Sequence, residues 1–311
     1  TIGNIAEYII YVALMTWPVA SMGFVITMVQ RASASMIRLN DILDAQPSIK
    51  SGTEGSASFE VDGHISFRNV SFRHPNNGVM ALKNVSVDIP AGTTLAIVGR
   101  TGSGKTTFAE MIPRLLDAEE GQVVIDGEDV KNLPLSTVRN AIGYVPQDVF
   151  LFSDTVANNI SFGQMDAHEL DIERAALEAD LLDNVKEFRK GFETFVGERG
   201  ITLSGGQKQR TSIARALVRD PKILILDDAL SAVDVNTERT ILNPLRSHFG
   251  KRTIVIVSHR VSAVQEADQI IVLDEGKVVE RGTHDELLKK AGFYAELHAK
   301  QQLEQEVEAF E

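Results

Sequence analysis

The sequence predicts an α/β domain, built on a parallel sheet with an antiparallel β part and an inserted helical subdomain, and preceded by one long apolar helix. Three observations predict this. Apolar strand-like runs alternate with helical patterns from about residue 61 onward, the order expected of a parallel sheet with covering helices. One of those runs, Thr94 to Val98, leads straight into a glycine-rich turn and then a helical pattern. Finally, Tyr8 to Gln30 contains no charged residue.

That uncharged run of ~23 residues is long enough to cross a bilayer as a helix. Only Glu7 precedes it, whereas a secretory signal would begin with positive charge and carry a shorter apolar stretch. Arg31 and Arg38 follow, which puts the C-terminal side in the cytoplasm. Trp17 and Pro18 fall mid-span, a place that a packed helix bundle accepts. Apolar periodicity continues through Met36, Ile37, Leu39, Ile42 and Leu43, so the helix is expected to run on past the membrane. The chain begins with Thr1 rather than Met and reads as a fragment or a processed product. Residues 1–45 are thus expected to be a membrane helix with its cytoplasmic extension, and 46–60, containing Pro47 and a run of small polar residues, a linker.

Composition narrows the functional classes. With 43% hydrophobic and 24% charged residues among 311, the chain can build a sizeable core. A net charge of −12 argues against binding DNA, RNA or an anionic lipid surface through general electrostatics. Cysteine is absent, which excludes disulfides and thiolate metal sites and fits a reducing compartment.

Within the globular part, 61–300, strands are expected at His64–Phe72, Val85–Ile89, Thr94–Val98, Ile142–Val145, Ile223–Leu226, Ile254–Val257 and Ile270–Leu273, with a helix over Lys105–Leu116. Residues of about 154–220 are mostly helical in pattern and form the insertion. The acidic tail 301–311 reads as a solvated helix end.

The motif at the end of the third strand is Gly99-Arg100-Thr101-Gly102-Ser103-Gly104-Lys105-Thr106, followed by Thr107, and it has the G-x-x-x-x-G-K-[ST] spacing of a P-loop. Glycines at these positions let backbone N–H groups turn inward around phosphate oxygens, while the next helix presents its positive end. Lys105 would reach the β- and γ-phosphates, and Thr106 would ligate Mg²⁺. A second acidic element, Lys222-Ile-Leu-Ile-Leu-Asp227, ends an apolar strand in carboxylates, and Asp227 would complete a Mg-nucleotide site.

Leu203-Ser204-Gly205-Gly206-Gln207 opens another helical run and offers a second phosphate-type cradle, which one domain rarely needs unless it serves a neighbour. This pentapeptide resembles the signature of ATP-binding-cassette proteins, and the resemblance covers the chain from His64 onward. It implies a P-loop NTPase core in which two cassettes pair head to tail, with Ser204, Gly205, Gly206 and Gln207 facing ATP held by the partner. It also implies a Mg²⁺-sensing glutamine at Gln147 in Tyr144-Val-Pro-Gln147, an interface loop at Ser231-Ala-Val-Asp234, and a switch histidine at His259 contacting the γ-phosphate. Val196-Gly-Glu198-Arg-Gly200 resembles the loop of exporter cassettes that touches the coupling helices. With the upstream helix, this implies the C-terminal part of an exporter half-transporter, using ATP and Mg²⁺ to move a small molecule or lipid across the inner membrane, its cassette cytoplasmic.

Two positions depart from the family pattern. Asp228 stands where the family has the glutamate that polarises attacking water; Asp is one methylene shorter, setting the carboxylate back by about 1.5 Å. The chain's own site is therefore expected to hydrolyse slowly, as in the degenerate-site subunit of a heterodimer or a weak homodimeric ATPase. His74, in Val70-Ser-Phe72-Arg73-His74-Pro75, replaces the tyrosine that stacks on adenine and predicts weaker packing of the base. Two alternatives remain open: a non-hydrolysing nucleotide-binding subunit, and a soluble cassette ATPase of DNA maintenance, which would carry long coiled-coil insertions that residues 64–302 lack.

Overall fold

The computed structural model describes residues 1–52, 59–230, 238, 240–242 and 252–308. The chain divides into two units, Thr1–Ser48 and Ile49–Glu311.

The first unit is a single helix, α1 (Ile2–Leu43), of 42 residues. At 1.5 Å per residue it is about 63 Å long, twice the hydrocarbon thickness of a bilayer. It continues through Pro18, and none of its residues is buried. Hydroxyl groups turn back onto the helix: Thr16 Oγ1 donates to the Val12 carbonyl, Ser21 Oγ to that of Pro18 and Thr27 Oγ1 to that of Gly23. This keeps the polar side chains of an apolar helix satisfied without water.

The second unit contains two sheets. The smaller is antiparallel, in the order β2-β1-β4-β5, from β1 (Ile65–Arg73), β2 (Met80–Ile89), β4 (Glu120–Ile125) and β5 (Glu128–Asp129). The larger has the order β10-β9-β3-β8-β7-β6, from β3 (Thr94–Gly99), β6 (Ile142–Val145), β7 (Ile223–Asp227), β8 (Thr253–Val257), β9 (Gln269–Asp274) and β10 (Lys277–Gly282). Its strands are parallel except β10, which returns antiparallel along β9.

The large sheet lies between two cores, which explains its continuous apolar strands. Successive side chains alternate: Ala96, Val98, Leu224, Leu226, Ile254 and Ile256 enter one core, and Leu95, Ile97, Ile223, Ile225, Val255 and Val257 the other. The first core is shared with α4 (Val156–Ser161), α5 (Glu169–Glu178), α6 (Leu182–Glu187) and α7 (Gly205–Leu217), and with the C-terminal helices α8 (Val261–Val264), α9 (His284–Lys290) and α10 (Phe293–Glu308). The second is shared with α2 (Lys105–Met111), α3 (Leu135–Asn140) and the antiparallel sheet.

Several boundaries differ from the sequence expectation. The helix expected over Lys105–Leu116 ends at Met111, because Pro113 has no N–H and the chain tightens before it, Ile112 N donating to the Ala109 carbonyl. β2 starts at Met80 rather than Val85, since pairing with β1 extends to Arg73↔Met80. β4 and β10 have no counterpart in the sequence expectation. Gln301, expected in a solvated tail, lies within α10 and is partly buried.

Candidate nucleotide site

The site forms where β3, β7 and β8 end, at the carboxyl edge of the parallel sheet, the usual place for a ligand in such folds. β3 is buried along its whole length, so its end point is fixed. The chain then turns through Arg100–Gly104 into α2. Two glycines make the turn possible. A Cβ at Gly99 would collide with the Leu273 carbonyl, and one at Gly104, where φ is +104°, with that of Ala81.

Lys105 bends back over this loop, its Nζ donating to the carbonyls of Gly99 and Arg100, each at 2.9 Å. Burial pushes the Lys105 ammonium below its ordinary pKa, and the nearby Asp228 and Asp227 carboxylates oppose that shift. Thr106 Oγ1 donates to Asp227 Oδ1 at 3.2 Å. The Tyr144 hydroxyl donates to the other oxygen, Oδ2, also at 3.2 Å. Asp227 is 1% exposed, and burial raises its pKa despite these two donors. The same burial, with Asp227 adjacent, pushes the Tyr144 hydroxyl up as well.

Asp228 follows in a left-handed conformation, φ 47°, which Asp tolerates better than most residues. Its N–H donates to the Val257 carbonyl at 2.9 Å, tying it to the end of β8. Its Oδ1 lies 3.0 Å from Nδ1 of His259. That hydrogen bond raises the imidazole pKa, against the opposing effect of burial.

These groups line one cleft of about 340 Å³, within the range of small-molecule sites. His74, Thr101, Gly102, Gly104, Lys105, Thr106, Thr107, Gln147, Asp227, Asp228 and His259, all singled out in the sequence, share it. His74 forms part of its wall: Nε2 is 3.3 Å from Thr107 Oγ1, and the ring meets Phe72 edge-on with centroids 5.0 Å apart. Gly99, Arg100 and Ser103 shape the loop without lining the cleft. Ser103 is buried and its carbonyl accepts from Gly276 N, while the Arg100 guanidinium stacks over Phe293 at 5.4 Å.

The second cradle is elsewhere. Ser204, Gly205, Gly206 and Gln207 do not line the cleft; they open α7 with a capping box. Ser204 Oγ accepts from Gln207 N, and Gln207 Oε1 accepts from Ser204 N. Asp234 lies outside the described residues.

Two polar residues that flank the cleft beside Asp227 are not singled out by the sequence. Tyr144 figures there only as part of the strand leading to Gln147, yet its hydroxyl holds Asp227. Glu110 lies four residues after Thr106, on the same face of α2, and burial beside Asp227 raises its pKa while His74 lowers it. That i,i+4 spacing is the one clue the sequence offers.

A hydroxyl, a carboxylate and an amide oxygen are hard donors suited to Mg²⁺, which commonly takes one or two carboxylates plus substrate phosphates. Among the described residues no group of three or more His, Cys, Asp and Glu could hold a metal by itself. The donor set therefore fits a magnesium ion that arrives with phosphate, and the glycine turn under Lys105 fits the phosphate.

Known proteins resemble this chain in sequence and in fold. Residues 82–231 match the family model described as ABC transporter. The chain is 42% identical over 303 residues to the probable multidrug resistance ABC transporter ATP-binding/permease protein YheI of Bacillus subtilis, covering 97% of this chain and 52% of that protein. It is 44% identical over 292 residues to the ATP-dependent lipid A-core flippase of Escherichia coli, covering 93% and 50%. Among solved structures, a bacterial Atm1-family ABC exporter with ATP bound superposes with a TM-score of 0.82 at 37% identity, covering 88% of this chain and 48% of that one. The chain thus spans about half the length of the relatives it matches. By sequence and by fold, the chain belongs to the ABC transporter family, its nucleotide-binding domain preceded by one long apolar helix.

Proposed function

We propose that this chain binds and hydrolyses ATP with Mg²⁺ to drive export of a small molecule or lipid, as the C-terminal part of an exporter half-transporter in the inner membrane. The observation that carries the reading is the convergence of Lys105, Thr106, Gln147, Asp227, Asp228 and His259 on one cleft. In this reading α1 crosses the membrane and the domain from Ile49 onward faces the cytoplasm.

Each residue has a task that follows from its chemistry. The glycine loop offers N–H donors to phosphate oxygens, and Lys105 exchanges its carbonyl partners for the β- and γ-phosphates. Thr106, Asp227 and Gln147 would hold the magnesium, and Tyr144 keeps Asp227 oriented. The ion supplies charge neutralisation at the phosphate oxygens. Asp228 orients the attacking water and takes its proton, and His259 contacts the γ-phosphate. His74 packs on the adenine. Ser204, Gly205, Gly206, Gln207 and Asp234 serve a second half-transporter docked head to tail; the first four do not line this chain's own cleft, which supports that role.

The test is Lys105→Ala in the full chain, read by fluorescent-ATP binding. A loss of affinity of roughly a hundredfold is expected, since a charge-assisted contact to phosphate disappears; unchanged affinity would refute the assignment. One observation favours a slower variant of this reading: Asp228 is already engaged by His259 at 3.0 Å, so its short carboxylate is turned toward the histidine. We therefore assign this chain's own site a low intrinsic rate and its partner the faster one.

A further inference from the structure

The C-terminal helix reaches the switch histidine through one side chain. Gln301 Nε2 donates to the His259 carbonyl at 2.7 Å, and its Oε1 accepts from the Val261 N–H at 2.8 Å. The single amide thus pairs with both peptide groups that flank Arg260, as a neighbouring β-strand would. Val261 begins α8, whose first N–H groups have no partner within the helix. No residue between His259 and Val261 supplies these two bonds; they come from 40 and 42 residues downstream.

The helix that delivers Gln301 is itself fixed. Tyr294 is fully buried, and its hydroxyl lies 2.8 Å from Nδ1 of His284. Leu297 packs against the same core. Tyr294, Leu297 and Gln301 are spaced i, i+3 and i+7, so one face of α10 carries the anchor and the amide together. At its start, Phe293 lies beneath the Arg100 guanidinium of the phosphate loop. The helix therefore touches both the phosphate loop and the switch segment.

We infer that Gln301 is a positioning residue for His259: its amide sets the backbone on either side of Arg260 and thereby the direction in which the imidazole points. The role rests on the ATP-hydrolysing reading above, while the brace itself does not depend on nucleotide. An amide is required, because the carboxylate introduced by Gln301→Glu could accept from the Val261 N–H but could not donate to the His259 carbonyl.

The experiment uses the full 311-residue chain and its Gln301→Ala and Gln301→Glu variants, with two readouts. Hydrogen exchange of residues 259–264 is measured without nucleotide, and thermal melting confirms that each variant folds. ATP turnover and the affinities for ATP and ADP are measured in parallel. Exchange in 259–264 is expected to quicken by tenfold or more in both variants. Turnover should fall roughly 10- to 100-fold, as for a catalytic group displaced by about 1 Å, with ATP affinity reduced and ADP affinity kept. Unchanged exchange overturns the proposal, as does unchanged turnover with an unchanged ATP-to-ADP preference. Equal loss of ATP and ADP binding marks a merely structural role and overturns it too. Should the unmodified chain bind no ATP, the functional reading fails, and the exchange measurement alone decides the brace: faster exchange supports it and unchanged exchange rejects it.

Discussion

Replacing Asp228 by Glu tests the chemistry of the site most directly. The Asp228 backbone cannot slide forward, because its N–H is bonded to the Val257 carbonyl at 2.9 Å and it sits at the end of a fully buried strand. Any advance of the carboxylate must come from the side chain, and one added methylene extends it by about 1.5 Å. A displacement of about 1 Å can change a rate by around a hundredfold, so we expect ATP turnover by this chain to rise roughly 10- to 100-fold. The substitution has a cost. Residue 228 has φ 47°, and Glu lacks the local hydrogen bonding that lets Asp accept a left-handed backbone. A loss of about 1 kcal/mol follows, or ~2–4 °C in melting temperature. The assay is steady-state phosphate release by the full chain over a range of ATP concentrations, with melting curves of both proteins. A folded Asp228→Glu variant with no gain in turnover would refute the argument that side-chain length limits this site.

His74→Tyr should tighten ATP binding by two- to tenfold, the 0.5–1.5 kcal/mol of an added aromatic stacking contact, and equal dissociation constants by calorimetry would remove His74 from the adenine site. The His259–Asp228 pair makes stability depend on pH. Because the folded imidazole has a raised pKa, its contribution is fully present below the unfolded value of 6.5 and is lost as pH rises through the folded value. Urea melts of the wild type and His259→Gln should therefore differ more at pH 5.5 than at pH 8.5, and a constant gap would mean that the pair adds nothing. Phe108→Ala should cost about 3–5 kcal/mol in the same experiment, since Phe108 is fully buried and stacks on Phe67 with centroids 3.9 Å apart; a loss below 1 kcal/mol would show that the second core closes around the cavity.

The parallel strands are readable because burial on both faces leaves no polar alternation to confuse with a surface element; Thr94–Gly99, Ile223–Asp227 and Thr253–Val257 are buried at every position. The phosphate loop is readable because glycine, lysine and hydroxyl positions are fixed by local geometry. β10 is not, since Lys277–Gly282 is an edge strand with exposed and half-buried residues alternating and takes its order from β9. β4 begins with three exposed residues and is aligned only by pairing with β1. The same limit hides the remaining site residues. Tyr144 meets Asp227 across 83 residues of sequence, and Gln301 meets Val261 across 40. No local pattern records such a pairing. Residue type and spacing name the groups expected to touch phosphate, whereas the groups that aim them are set by tertiary register.

The same register links the parts of the site that must change together. Starting from α10, Gln301 holds the His259 carbonyl at 2.7 Å, the His259 ring meets Asp228 at 3.0 Å, and the Asp228 N–H returns to Val257 at 2.9 Å, two residues before His259. The path closes on itself, so the histidine cannot turn toward a γ-phosphate without releasing Asp228 or stretching the segment that Gln301 braces. In the proposed mechanism, that release frees the carboxylate for water as the imidazole turns to phosphate. If Asp228 orients the attacking water as proposed, a longer side chain at 228 would reach that water with the histidine still in place, whereas with aspartate hydrolysis would wait on the histidine.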